Sequence, residues 1–214
     1  MKKHLWVFSL FAAVLIPLVS SAQKLERTKN WGVGDKATWN YVLQGKSMRF
    51  VQEVVEVTDA EIRSTLEIGE RTHHVVGSTR ELSCVSGICL PNGQKCTFSP
   101  EWVWFNFPLE KGKTWSATTT VTGESFISET AYEAKVDGVE KITTPAGQFD
   151  AYKLSGIERI ESRNKLSGGP IFHGTSNYSY WVASIKGKLV CVRNEYHNSF
   201  GEVMTRELLS TEFK

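Results

Sequence analysis

The sequence predicts an all-β protein: a strongly curved antiparallel meander sheet, an open or half β-barrel, with little helix apart from an N-terminal signal peptide. Three observations carry this expectation. Short runs rich in β-branched and aromatic side chains recur from Lys36 to the C-terminus. Within them apolar and polar residues alternate with a period of two. Gly, Pro, Asn and Asp punctuate the gaps, as turns require.

The N-terminus reads first as a leader. Lys2 and Lys3 precede an apolar stretch from Leu5 to Leu18, and Val19-Ser20-Ser21-Ala22 supplies the small residues of a cleavage site. The stretch contains Pro17 and falls short of the roughly 20 apolar residues that span a bilayer. A signal peptide over residues 1–22 is expected, with no transmembrane anchor after cleavage and an exported, periplasmic or secreted, location. Removing 22 of the 214 residues leaves 192, one β-rich domain over 23–214 that is long enough to bury a substantial core. The formal charge of +2 then disappears, because losing Lys2 and Lys3 leaves 23 basic against 23 acidic residues. Such a chain lacks the basic footprint of a nucleic-acid binder, so nucleic acid is not an expected partner.

The strands follow in order. "KATWNYVL" (36–43) sets Ala37, Trp39, Tyr41 and Leu43 against Lys36, Thr38, Asn40 and Val42. "SMRFVQEVVEVTD" follows the Gly45 turn and "EIRSTLEIG" follows Asp59-Ala60, as in an antiparallel meander. Further strands are expected over 71–83, 95–107, 114–122, 126–136 and 139–143. In 126–136, Ser128, Thr130, Tyr132, Ala134 and Val136 oppose Glu129, Ala131, Glu133 and Lys135, so one face is wet and the other is not. Thr144-Pro145-Ala146-Gly147 reads as a tight turn, Pro145 fixing one central torsion and Gly147 accepting a positive one. Strands over 149–162, 173–183, 188–197 and 203–213 complete the set. Many exceed the usual five or six residues, and long twisted strands curl the sheet they form.

Cys84, Cys89, Cys96 and Cys191 all lie beyond the leader. An even count in an exported chain points to disulfides, and the wide spacing between Cys84 and Cys89 argues against a zinc knuckle. A two-residue turn at Ser86-Gly87 would face Cys84 with Cys89 at bridging distance. That favours Cys84 with Cys89 and Cys96 with Cys191, and leaves the other pairings open.

"PLEKGKTW" (108–115), "TPAGQFDAYKL" (144–154) and "YWVASIKGKLVCVRNEY" (180–196) resemble the motifs of a bacterial exported β-rich family of unknown function, with its Gly-Lys-x-Trp and Thr-Pro-Ala-Gly-x-Phe-Asp-Ala-Tyr signatures. The resemblance covers the last half of the chain. It implies a curved-sheet exported protein and carries no catalytic residues over. Ala183 and Ile185 depart from its usual Ser-Pro, and the cysteine-rich stretch is local to this chain.

Catalytic and metal patterns are weak. His73 and His74 are adjacent and so point to opposite faces of a strand, and His173 and His197 stand apart, so no metal site is expected. There is no nucleophile elbow, phosphate loop or dinucleotide fingerprint, and no catalytic residue or cofactor is expected. Glu129 with Glu133 and Glu158 with Glu161 read as solvated charges rather than acid-base pairs. Aromatics give the strongest signal: "SPEWVWFNFPLEKGKTW" places Trp102 and Trp104 on one face and Phe105 and Phe107 on the other. Core packing accounts for them, or else Trp39, Tyr41, Trp102 and Trp104 line a concave apolar groove. The reading is a non-enzymatic exported binding module holding an apolar small molecule in a curved sheet. The alternative is a structural or assembly factor that contacts another envelope protein by adding a strand to an open edge. A hydrolase is the weakest.

Overall fold

A computed structural model describes residues 24–79, 84–89 and 94–214, with backbone only at 88, 89 and 94. The expected leader lies outside the described residues, as does the stretch Pro91-Asn92-Gly93, whose composition suits a turn. Every regular element among them is a strand. In chain order these are β1 (Lys24–Leu25), β2 (Lys36–Leu43), β3 (Lys46–Val57), β4 (Glu61–Ile68), β5 (Arg71–Ser78), β6 (Cys84–Cys89) and β7 (Gln94–Trp102). They continue as β8 (Leu109–Glu110), β9 (Thr114–Gly123), β10 (Phe126–Thr144), β11 (Gly147–Asn164), β12 (Pro170–Ile185), β13 (Lys188–Asn198) and β14 (Val203–Glu212).

The expectation of an open or half barrel is corrected: β2 to β7 and β9 to β14 form one closed antiparallel barrel of twelve strands. Neighbours in sequence are neighbours in space, except where β7 pairs with β9 across the excluded β8. Closure comes from the last strand meeting the first, with Arg206 opposite Tyr41 and Leu208 opposite Trp39. Closing the sheet satisfies every strand edge that an open sheet would expose. Nothing in a period-two pattern encodes that long-range pairing, which is why the sequence shows the meander and not the ring.

Curvature has identifiable sources. The ladders slip at Val54/Glu56, Val136/Gly138, Ser162/Arg163, Trp181/Val182 and Leu208/Ser210, each a bulge that bends its strand. Asp137-Gly138, the gap between the strands expected over 126–136 and 139–143, is instead one of these bulges inside the single β10, with Gly138 at φ +148°. Beyond it, β10 pairs only with β11, and the two run on to the Thr144-Pro145-Ala146-Gly147 turn, which is tight as expected. This arm leans across the barrel wall, where Ala146 N–H donates to the Leu208 carbonyl at 3.3 Å. Ile142, Ala146 and Phe149 pack there with Trp181, Ala183, Val190 and Val192.

One end of the barrel is capped. The segment before β2 crosses it: Lys29 N–H bonds to the Gly187 carbonyl at 2.9 Å, the Trp31 indole to the Leu189 carbonyl at 3.0 Å, and Asn30 to the Thr79 carbonyl at 3.0 Å. β1 pairs with β8, bringing in the 103–113 connection, and fully buried Leu109 packs there with Val136, Leu154 and Val182. Asp35 is sealed from solvent between Lys188 and the chain end, accepting from Lys188 Nζ, from Gly32 N–H at 2.5 Å and from Lys214 N–H at 3.0 Å. Burial alone would raise the Asp35 pKa, but these donors hold it below the ordinary carboxylate value. The opposite end carries the β2–β3, β9–β10, β11–β12 and β13–β14 turns.

Two expectations near the cysteines fail. Ser86-Gly87 is no turn, because β6 runs straight through it and pairs Gly87 with Cys96. Cys84 and Cys191 are free thiols, so neither of the two favoured bridges forms. Cys96 is disulfide-bonded, and the Cys89 side chain lies outside the described residues.

Candidate functional site

Period-two alternation on twelve strands sorts side chains between wall and interior. Outward positions carry charge ladders such as Arg159 with Glu133 at 2.6 Å, Lys36 with Glu53 at 2.8 Å and Arg63 with Glu61 at 3.0 Å. Inward positions enclose a cavity of about 1070 Å³ running from the cap to the opposite rim. A twelve-stranded ring is too wide for its own side chains to fill, so space remains inside.

Trp39, Tyr41, Trp102 and Trp104 all line this cavity. Trp39, Tyr41 and Trp102 are buried, while Trp104 keeps 38% of its surface exposed. The Trp39 indole donates to the Cys191 carbonyl at 2.8 Å. Tyr41 stacks on Phe50 with ring centroids 4.5 Å apart. Trp102 stacks on Tyr132 at 4.7 Å and tilts against Trp104 at 5.4 Å, and Trp104 meets Tyr180 edge-on at 5.5 Å. The expected strand over 95–107 stops at Trp102, so Trp104 reaches the cavity from the capping connection rather than from a strand face.

Polar groups sit among these rings. Glu158 projects inward from β11, while Glu161 points outward beside His173. The expectation that Glu158 is a solvated charge is thus corrected. Its carboxylate accepts from the Tyr196 hydroxyl at 3.2 Å, and Tyr196 accepts from Ser176 at 2.6 Å. Burial pushes the Glu158 carboxyl up to about 7, the Tyr196 hydrogen bond offsetting only part of the desolvation. Along the same wall, β12, β13, β14 and β2 set Tyr180, Asn194, Arg206 and Tyr41 in one register row. The Arg206 guanidinium lies 5.4 Å from the Trp39 ring centroid. The Tyr41 hydroxyl and the Trp102 Nε1 are buried without a hydrogen-bond partner.

The sequence carried signals for both charged groups. Arg206 falls in the apolar phase of Met204 and Leu208, and Glu158 in the phase of Leu154 and Ile160. A charge in the inward phase of a strand marks a polar function in the core. His73 and His74 are adjacent within β5 and His173 stands beside outward Glu161, and no cluster of metal-binding side chains exists among the described residues.

The fold and site define a capped, cavity-bearing twelve-stranded β-barrel with a charged exterior. Its architecture is similar to that of a Bacteroides fragilis protein named as exported and as having a YmcC-like fold: TM-score 0.56 at 15% identity, over 87% of this chain and 99% of that one. Also similar are a Parabacteroides distasonis protein named as a lipoprotein (TM-score 0.49, 14% identity, 89% and 100% covered) and the lipoprotein YmcC of Escherichia coli (0.42, 11%, 81% and 83%). At these identities the likeness is one of fold alone, and the first comparison carries it. No family model and no curated protein matches the chain.

Proposed function

We propose that this is an exported, non-enzymatic binding protein that holds an apolar small molecule inside the barrel. One observation carries the reading: a lumen of about 1070 Å³ walled by aromatic rings, at the upper end of the roughly 300–1,000 Å³ of ligand pockets. The rim adds to it. Ile171, Phe200 and Val203 are exposed there, with Phe172 and Phe200 rings 5.2 Å apart, so an apolar surface continues from the lumen to the outside. Charge ladders on the outer wall, where a membrane-spanning barrel needs an apolar band, support an apolar compartment on the inside. Export rests on the leader-like N-terminus and on the names of the similar structures.

The assembly-factor alternative has less to draw on, since closing the ring pairs the first and last barrel strands and leaves only short unpaired stretches for a partner strand. The test is fluorescence titration with the neutral apolar probe N-phenyl-naphthylamine, with native mass spectrometry of protein purified from its own envelope. Saturable probe binding, weakened by Trp102→Ala, and a retained small molecule are the expected results. An absence of probe binding, or a co-purified polypeptide in place of a small molecule, refutes the reading.

A further inference from the structure

Four charged residues line the lumen: Lys29, Glu158, Glu202 and Arg206. Lys29 sits at the cap and Glu202 at the rim, where its carboxylate accepts from Asn198 at 2.7 Å. Glu158 is engaged by Tyr196. Arg206 differs from all three. Among the described residues no carboxylate pairs with it, although Arg193, on the neighbouring strand's outer face, pairs with Glu195 at 2.7 Å. Burial opposes charge on the Arg206 guanidinium, but an arginine is too basic to release its proton in a protein. Its Nε is buried with no partner, and so is the hydroxyl of Tyr41, which is only 4% exposed and sits directly opposite in register. A half-buried cation whose Nε is sealed without a partner, beside a buried hydroxyl in the same state, leaves donors that an anion in the lumen would complete.

Resting on the binding reading above, we infer that the ligand is a single-chain amphiphile ending in a carboxylate, its head seated on Arg206 and the Tyr41 hydroxyl and its chain among the aromatic rings. A guanidinium edge matches a planar carboxylate with two parallel hydrogen bonds. One cation balances one negative charge, whereas a phosphate monoester would bring a second charge into a lumen whose other deeply placed ionisable group, Glu158, is itself an acid. The Trp39 ring lies against the guanidinium from one side, and Tyr41, stacked on Phe50, extends an apolar surface beside it. The chain then has the space toward Trp102 and Tyr132.

Displacement of N-phenyl-naphthylamine from the exported protein by palmitate, hexadecanol and hexadecyl phosphate tests this. Palmitate is expected to bind about 10- to 100-fold tighter than hexadecanol, the range of a charge-assisted hydrogen bond. Arg206→Met should erase that preference while the probe still binds, and Tyr41→Phe should narrow it without touching the barrel. Equal affinity for palmitate and hexadecanol, tighter binding of hexadecyl phosphate, or an unchanged preference in both variants overturns the inference. Wild-type protein that binds no probe overturns the parent reading instead, so the two failures are distinct.

Discussion

Replacing Glu158 with Gln should change how stability depends on pH, in a window fixed by the structure. The Glu158 carboxyl is raised from an ordinary value of 4.5 to about 7, with burial as the main cause. Between those values the unfolded chain releases a proton that the folded protein keeps. The folded state therefore binds more protons, and stability falls as pH rises. A shift of that size corresponds to up to about 3 kcal/mol, at about 1.4 kcal/mol per pK step, lost progressively from pH 4.5 to 7. For a domain of this length that amounts to roughly 6 to 12 °C in Tm. Gln keeps the shape and can still accept the Tyr196 hydrogen bond, so Glu158→Gln should be flat over the window and more stable than wild type at pH 8. Urea unfolding of both proteins from pH 4 to 8 measures this. A wild-type-minus-variant difference that does not change with pH, or that grows in favour of wild type as pH rises, refutes the argument that the lumen desolvates this carboxylate.

Three further outcomes are expected. Asp35→Asn should cost about 3–5 kcal/mol by urea midpoint, because Lys188 is left buried without its counter-charge; the wild-type contribution is present above pH 3.8 and is lost as pH falls below it, since the Asp35 pKa is depressed. Gly156→Ala should destabilise by about 1–3 kcal/mol in thermal unfolding, since its methyl would lie 2.1 Å from the Glu133 carbonyl oxygen, a backbone atom that cannot swing aside. Cys84, whose thiol burial pushes up to about 12, should stay silent to a thiol reagent at pH 8 in the native protein and react once the barrel is unfolded in urea.

The legible part of this fold is local. Strand positions, the wet and dry phases of Ser128 to Val136, and the Thr144–Gly147 turn follow from patterns a few residues long. The inward placement of Trp39, Tyr41 and Trp102 follows from the same rule. What escaped is non-local or masked by local ambiguity. The β14–β2 pairing joins segments at opposite ends of the chain, and no short-range signal distinguishes it from two free edges. Asp137-Gly138 carries turn chemistry but sits in a bulge, because Gly serves both. The bridge geometry proposed at Ser86-Gly87 depended on a turn that the chain passes through as a strand. Glu158 and Arg206 were visible as charges out of phase, yet only the closed ring shows that their phase faces an interior. Trp104 reached the expected place for a reason alternation does not supply, since it comes from the capping connection.

The Asp35 cluster also fixes where the molecule can be held. The N-terminal crossing and Lys214 meet at the same carboxylate, so both ends of the described chain leave from the base of the cup. A leash attached at either terminus would hold the vessel upright, brim facing away from the attachment point and open to whatever approaches. Fusions at the two termini leave that brim unobstructed, while insertions in the β11–β12 or β13–β14 turns would stand across it.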